Sequence, residues 1–351
     1  MAIEIQGRKI GKGHPPFIIA ELSANHNGDL DRALKLVEVA KESGADAIKL
    51  QTYRADTITI ECDKEDFKIK EGPWAGRTLF ELYDEAHTPW EWHQAIFDKA
   101  RALGLIVFSS PFDYSAVDFL EGLDVPAYKV ASFELLDLPL IQKMARTQKP
   151  IIMSTGMANL SDIAKAVEAV EQTGNNQIIL LHCVSSYPAS PKEANVKTIA
   201  HLSEAFGLPT GLSDHTLGVG VACAAVALGA CVIEKHFTLS RAEGGVDSGF
   251  SLEPDELKEL VETTRQAYDA VGSVSFKVSA GESSNKNFRR SLYIVENVQK
   301  GDLLNAQNVK SIRPGFGLAP EFLDEVLGKV ACCDLEKGTA LKWGHFKEQD
   351  L

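Results

Sequence analysis

The feature that most constrains this chain is a unit repeated eight times over about its first 270 residues: a short apolar run rich in Ile and Val, a polar cluster, then an amphipathic stretch. The runs are 17–22, 47–51, 106–109, 127–131, 151–154, 178–182, 209–212 and 231–234. Each is too short for a helix and mostly apolar rather than alternating, which fits a parallel strand buried on both faces. Helix punctuation lies between them. Asp29 precedes 30–43 with Gly44 beyond, Asn159 precedes 160–173 with Gly174 beyond, and Pro254 opens 255–271. Eight strands, each followed by a helix over about 250 residues, predict an α/β chain closed into a (β/α)8 TIM barrel. An open doubly wound sheet fits less well, because no GxGxxG loop follows the first run and polar clusters follow nearly every run rather than one switch point. The insertion 54–88 after the second run is expected to lie over the barrel mouth.

The pattern changes near Gly272. Residues 273–290 are rich in Ser, Asn, Lys and Gly and read as a linker, and 292–295, 302–304, 309–312, 328–330 and 340–343 are short strand-like pieces between Gly and Pro turns. The expected domains are therefore 1–272, a linker 273–290, and 291–351. The last has about 60 residues, near the lower limit for folding unaided, so a supporting partner subunit is expected.

Lys and Arg number 36 against 49 Asp and Glu, a net charge of −13 that argues against a general nucleic-acid or anionic-membrane binder. Any phosphate must be held by local positive charge. Residues 1–17 contain no continuous apolar core of a signal peptide, and the weakly polar stretch 219–233 is broken by Gly229 and too short for a bilayer. A cytoplasmic protein with no membrane span is expected. Six cysteines without CxxC spacing suit reduced core thiols.

In a (β/α)8 barrel the chemistry gathers where strands end. After the successive runs come Glu21, Asn25 and His26; Lys49 and Gln51; Ser109 and Ser110; Lys129, Ser132 and Glu134; Ser154 and Thr155; His182, Ser185 and Tyr187; Ser213, Asp214 and His215; Glu234, Lys235 and His236. One histidine there is ordinarily a hydrogen-bonded loop residue. His215 and His236, at the ends of neighbouring strands seven and eight, can instead share one space, and with Glu21 from strand one they suggest a divalent-metal site. Such surroundings suit Mn2+ or Mg2+ better than structural zinc, and Co2+ is a further possibility. Lys49 and Lys129 close apolar strands, where a charge is expensive unless it meets an anion. A structural ion pair is the bland alternative for either one. Both together, with Ser109, Ser110, Ser132, Ser154 and Ser213, converge the donors and charge that a phosphate needs. Trp74, Tyr83, Trp90 and Trp92 could stack on a sugar or pin the insertion, His87 and His93 read as surface or capping residues, and Asp247 follows the Gly244–Gly245 pair in a loop that could face substrate hydroxyls.

The strings IAELSANHNGDL (19–30), AIKLQTY (47–53), FSSPFD (108–113), LHCVSSYPA (181–189), GLSDHTLG (211–218), IEKHFTL (233–239), NFRRSL (287–292) and RPGFGL (313–318) resemble, in order and over essentially the whole chain, the sialic acid synthase family. The C-terminal part is similar to that family's antifreeze-like (SAF, β-clip) domain. The resemblance implies condensation of phosphoenolpyruvate with an open-chain acetamido sugar, releasing phosphate. It implies His215 and His236 as metal ligands with Glu21 beside them; Lys49, Ser110, Lys129, Ser132, Ser154, Ser185 and Ser213 on phosphoenolpyruvate; and Gln51, Glu134, Tyr187 and Asp247 on the sugar. Many relatives have Thr where this chain has Ser110, and some have Asn where it has Ser185. Arg313 in the family reaches the other subunit's site, which implies a domain-swapped homodimer. YDEAHTPWEWH (83–93), ASFELLDLPLI (131–141) and GGVDSGFSLEP (244–254) resemble the pseudaminate-forming branch, whose sugar is 2,4-diacetamido-2,4,6-trideoxy-L-altrose. N-acetylneuraminate or legionaminate formation is the alternative within the family. Outside it stand a metal-dependent aldolase using free pyruvate and a noncatalytic sugar-binding protein.

Overall fold

The computed structural model describes residues 2–347; Met1 and 348–351, the outer ends of the two expected domains, lie outside the described residues. The chain divides into two compact units at Gly272.

In the first unit, β1 (Ala2–Ile5) and β2 (Arg8–Gly11) pair as an antiparallel hairpin. Eight parallel strands follow and close on themselves, β10 pairing with both β9 and β3. In chain order the unit continues β3 (Phe17–Glu21), α1 (Leu30–Glu42), β4 (Ala47–Thr52), α2 (Ala55–Ile58), α3 (Leu79–Ala86), α4 (His93–Ala102), β5 (Ile106–Pro111), α5 (Tyr114–Gly122), β6 (Tyr128–Val130) and α6 (Leu138–Ala145). Then come β7 (Ile151–Ser154), α7 (Leu160–Glu171), β8 (Ile178–Cys183), α8 (Lys197–Phe206), β9 (Thr210–Asp214), α9 (Gly220–Ala227), β10 (Val232–His236) and α10 (Pro254–Val271). The predicted (β/α)8 barrel is what forms, and the insertion after its second strand folds as α2, a short 3-10 helix (Glu65–Phe67), a Lys68 to Thr78 bridge and α3.

Local signals explain these elements. Asp29 caps α1 by accepting from the backbone N–H of Asp31 and Arg32, an interaction worth about 1 kcal/mol, and Ala33, Leu36, Val37 and Ala40 form its buried face. Along each strand, side chains alternate between helix layer and barrel interior. Ile18, Ala20, Ile48, Val107, Met153 and Leu180 pack with the helices, whereas Phe17, Ile19, Ala47, Phe108, Ile152, Ile179 and Val232 pack inside. Ile3, Ile5 and Ile10 of the hairpin join the interior cluster and plug the end where the strands begin. Gly211 is required on β9, since a Cβ there would press on the Val232 carbonyl and come 2.8 Å from Leu181 Cδ2.

The second unit contains β11 (Ser291–Ile294), β12 (Val309–Ile312), α11 (Leu323–Val326), β13 (Val330–Ala331) and β14 (Phe346–Lys347), with β11 paired to β12 and β13 to β14. Of the shorter expected strands, 302–304 and 340–343 are reduced to single bridges, Leu303 to Val330 and Ala340 to Tyr293. Leu292, Ile294, Val298, Leu304, Val309, Val326 and Leu341 form a core of its own. Residues 273–290 are exposed. No helix among the described residues is long and apolar enough to cross a membrane.

Candidate active site

The alternation that fills the barrel interior with apolar side chains at one end places charged ones at the other. Position 49 follows Ala47 on the same strand face, Ser154 follows Ile152, Ser213 follows Gly211, and Glu234 and His236 follow Val232. Lys49 and Lys129 are nearly inaccessible to solvent, at 3% and 2% exposure. Lys49 Nζ pairs closely with Glu21, donates to Ser110 Oγ at 3.4 Å and lies 3.7 Å from Glu234 Oε1. Lys129 Nζ donates to Ser154 Oγ at 2.7 Å and lies 3.7 Å from the same Glu234 oxygen, to which Ser213 Oγ also donates at 3.5 Å. Burial works against the charge on both lysines. For Lys49 the attraction of Glu21 and Glu234 prevails and holds the pKa above the usual value; for Lys129 burial wins, and Lys49 adds repulsion. An arriving anion would relieve both. Ser132 Oγ accepts from Gly156 N at 3.1 Å, and a Cβ at Gly156 would collide with Ser185 Oγ and come 2.7 Å from Ser132 Oγ. The missing side chain lets those two hydroxyls converge beside a backbone N–H.

Across the mouth, the imidazoles of His215 and His236 are 5.4 Å apart by ring centroid. His215 Nδ1 is 3.0 Å from the Val184 carbonyl, which can only accept, so that nitrogen carries a proton and in the neutral ring Nε2 keeps its lone pair. His236 Nδ1 is buried with no hydrogen-bond partner and lies 3.5 Å from Asp247 Oδ2. An orphaned imidazole nitrogen, a second imidazole fixed in the ligating tautomer and a facing carboxylate fit a divalent cation. Among the described residues no group of three or more His, Cys, Asp or Glu is arranged to hold a metal unaided. Glu21, expected beside the metal, instead pairs with Lys49 and accepts from Ser23 N at 2.8 Å.

Around the imidazoles, Tyr187 packs 4.6 Å from the His215 ring, and Phe250 packs 4.9 Å from His236 and 5.1 Å from Tyr187. Glu134 is half-buried, and burial raises its pKa to about 7. Gln51, half-buried, shares the face of Lys49 on β4 and is in register with Ser110. Arg313 is an exposed residue of the second unit, just after β12.

Several residues grouped at the strand ends are turned elsewhere. Ser109 bonds Thr52 at 2.6 Å, and Thr52 bonds His93 at 2.8 Å, so His93 is a buried tie between β4 and α4 rather than a surface or capping residue. Lys235 pairs with Asp214 at 2.8 Å on the helix-facing side of β9 and β10. His182 Nε2 bonds the Ala194 carbonyl at 2.7 Å. Two residues at the mouth went without a role in the sequence reading. Glu234 lies between both lysines, a position legible from its spacing two before His236. Cys183 is 3.9 Å from His215 Nδ1 and 3.7 Å from Ser185 Oγ, two before Ser185.

The family model described as NeuB matches residues 36–276, and the SAF domain model matches 289–347. The chain is 47% identical over 331 residues to the pseudaminic acid synthase of Campylobacter jejuni, covering 94% of this chain and 96% of that one. It is 43% identical to the pseudaminic acid synthase of Helicobacter pylori, covering 93% and 96%. Among solved structures, the N-acetylneuraminic acid synthetase of Leptospira borgpetersenii superposes with a TM-score of 0.73 at 31% identity, covering 81% of this chain and 95% of that one. With its barrel, its paired lysines and its facing imidazoles, the chain belongs to the NeuB family and carries a SAF domain after its barrel.

Proposed function

We propose that the site condenses phosphoenolpyruvate with 2,4-diacetamido-2,4,6-trideoxy-L-altrose to give pseudaminic acid and inorganic phosphate. The observation that carries this reading is the meeting, at one rim, of two buried ammonium groups with two imidazoles; the likeness to two pseudaminic acid synthases supports the choice of sugar. Lys49 and Lys129, with Ser110, Ser132, Ser154, Ser185 and Ser213, bind the phosphate and carboxylate of phosphoenolpyruvate, exchanging Glu21 and Glu234 for the substrate's anion. His215 and His236 would hold a divalent cation, Mn2+ first with Mg2+ or Co2+ as alternatives, which when bound supplies Lewis-acid polarisation of the sugar's aldehyde oxygen. Gln51, Glu134, Tyr187 and Asp247 orient the sugar, and Arg313 of the partner subunit closes the site in a domain-swapped homodimer.

The reaction follows from this arrangement. C3 of phosphoenolpyruvate bonds to the aldehyde carbon, whose oxygen takes up a proton. Water oriented by Glu21 adds to C2 and gives up one proton, which that carboxylate passes to the aldehyde-derived oxygen. The C2–O bond then breaks, its electron pair leaving with phosphate against the two lysines, and the new C2 hydroxyl passes its proton to the departing phosphate as the ketone forms. We assign the enzyme to the cytoplasm, where its six unpaired thiols stay reduced.

The experiment mixes protein, Mn2+, sugar and phosphoenolpyruvate labelled with oxygen-18 in the bridging position. Labelled phosphate and pseudaminic acid are expected. No phosphate release with this sugar, with N-acetylmannosamine or with the legionaminate precursor would overturn the reading, and turnover of free pyruvate would favour an aldolase. Mixing Arg313→Ala with His236→Ala protein should restore part of the lost activity; no rescue would count against the shared sites.

A further inference from the structure

A cavity of about 470 Å3 lies between the insertion and the loop after β10, lined among others by Trp74, Arg77, Glu85, Tyr187, Ser248 and Phe250. Tyr187 and Phe250 are the rings that pack on His215 and His236, so the cavity and the imidazoles share these two rings as a common wall. Of Trp74, Tyr83, Trp90 and Trp92, the last three are engaged with rings away from this cavity. Trp90 stacks on Phe119 at 4.5 Å, Trp92 meets His26 edge-on at 5.5 Å, and Tyr83 meets Tyr53 at 5.8 Å. Trp74 borders the cavity and tilts toward Tyr187 at 5.7 Å. Its indole N–H is committed to the Val246 carbonyl at 3.0 Å, so what it can offer a ligand is its ring face.

The charge at this cavity is balanced: Arg77 donates to Glu85 at 2.6 Å and to the Glu81 carbonyl at 2.9 Å. A neutral ligand suits it, whereas an anion is better met by Lys49 and Lys129. Aromatic walls beside a polar rim match a group with one N–H, one carbonyl and a methyl.

We propose, resting on the synthase reading above, that this cavity receives the half of the sugar remote from its aldehyde, with the second acetamido group and the terminal methyl, and that Trp74 and Arg77 set the preference for diacetamido over mono-acetamido sugars. Filling or emptying an apolar subsite by a methyl-sized group changes selectivity by roughly 10-fold to 200-fold, which sets the expected scale.

The test compares kcat/KM for the diacetamido altrose and for N-acetylmannosamine in wild type, Trp74→Ala, Trp74→Phe and Arg77→Ala. Trp74→Ala should lower the ratio by at least about tenfold through KM for the sugar, with KM for phosphoenolpyruvate unchanged. Arg77→Ala should lower it less. Trp74→Phe keeps a ring face but loses the N–H, so it should retain most of the ratio; equal losses in Phe and Ala variants would reduce Trp74 to a latch and overturn the inference. Calorimetry with the diacetamido sugar gives the same comparison without turnover: at least about tenfold weaker binding by Trp74→Ala supports the subsite, and equal affinity, or no binding by wild type, overturns it. A wild type that binds the sugar at Trp74 yet releases no phosphate would defeat the synthase reading alone.

Discussion

The two ends of the barrel are built from the same eight strands and differ in almost everything else. Where the strands begin, the interior is Phe17, Ile19, Ala47, Ile179 and Val232, closed by Ile3, Ile5 and Ile10. Where they finish, two or four residues further along the same faces, it is Glu21, Lys49, Lys129, Ser154, Glu234 and His236. The larger cavity, about 770 Å3, belongs to the first end, between the starts of β9 and β10 and the end of α10. Size therefore points away from the chemistry. Convergence of paired charges and orphaned imidazole nitrogen marks the other end, because groups so expensive to bury persist only where a partner or ligand repays them. One end is an apolar seal, and the other gathers the groups that the proposed reaction uses.

The contrast can be broken by substitution. The largest effect is expected from His236→Ala: turnover should fall on the order of 1,000-fold, several kcal/mol of transition-state stabilisation, while the melting temperature stays near wild type. A large drop in melting temperature would make this end structural too. Ile179→Ala at the apolar end should do the reverse, costing roughly 2–5 kcal/mol of stability by denaturant unfolding and leaving turnover per folded molecule intact. A catalytic loss as large as the His236 one would erase the distinction.

The smallest effect is a pH dependence at the reactive end. Burial holds the Glu134 carboxyl near 7, above its ordinary 4.5. The folded state thus binds the extra proton between those values, so this group's contribution is fullest below about 4.5 and is lost as pH rises toward 7. The melting temperature of wild type relative to Glu134→Gln should decline across that window. A difference that stays flat or rises would show Glu134 to be ionised and paired.

Much of this was legible beforehand. Short Ile- and Val-rich runs bounded by Asp29, Gly44, Asn159 and Gly174 gave the barrel, because period and punctuation are local properties. The pairing of Lys49 with Lys129 and of His215 with His236 followed once strand order was assumed. What could not be read was orientation. Ser109 and Ser110 are neighbours in sequence, yet one ties β5 to Thr52 and the other receives Lys49, and Lys235 and His236 part in the same way. The hairpin's role as a plug was also hidden, since residues 1–17 show alternation without saying which cavity it fills.

By itself, then, the sequence determined that eight strands and their helices would close, and which residue types would stand at the strand ends. Closure decided the rest: that Glu234 stands between two lysines contributed by strands 105 and 185 residues away, that His236 Nδ1 faces Asp247, and that the insertion brings Trp74 against the loop after β10. The physical reason is range. Alternation and capping act over a few residues, whereas the energy of a buried charge depends on neighbours that only the folded chain brings within a few ångströms.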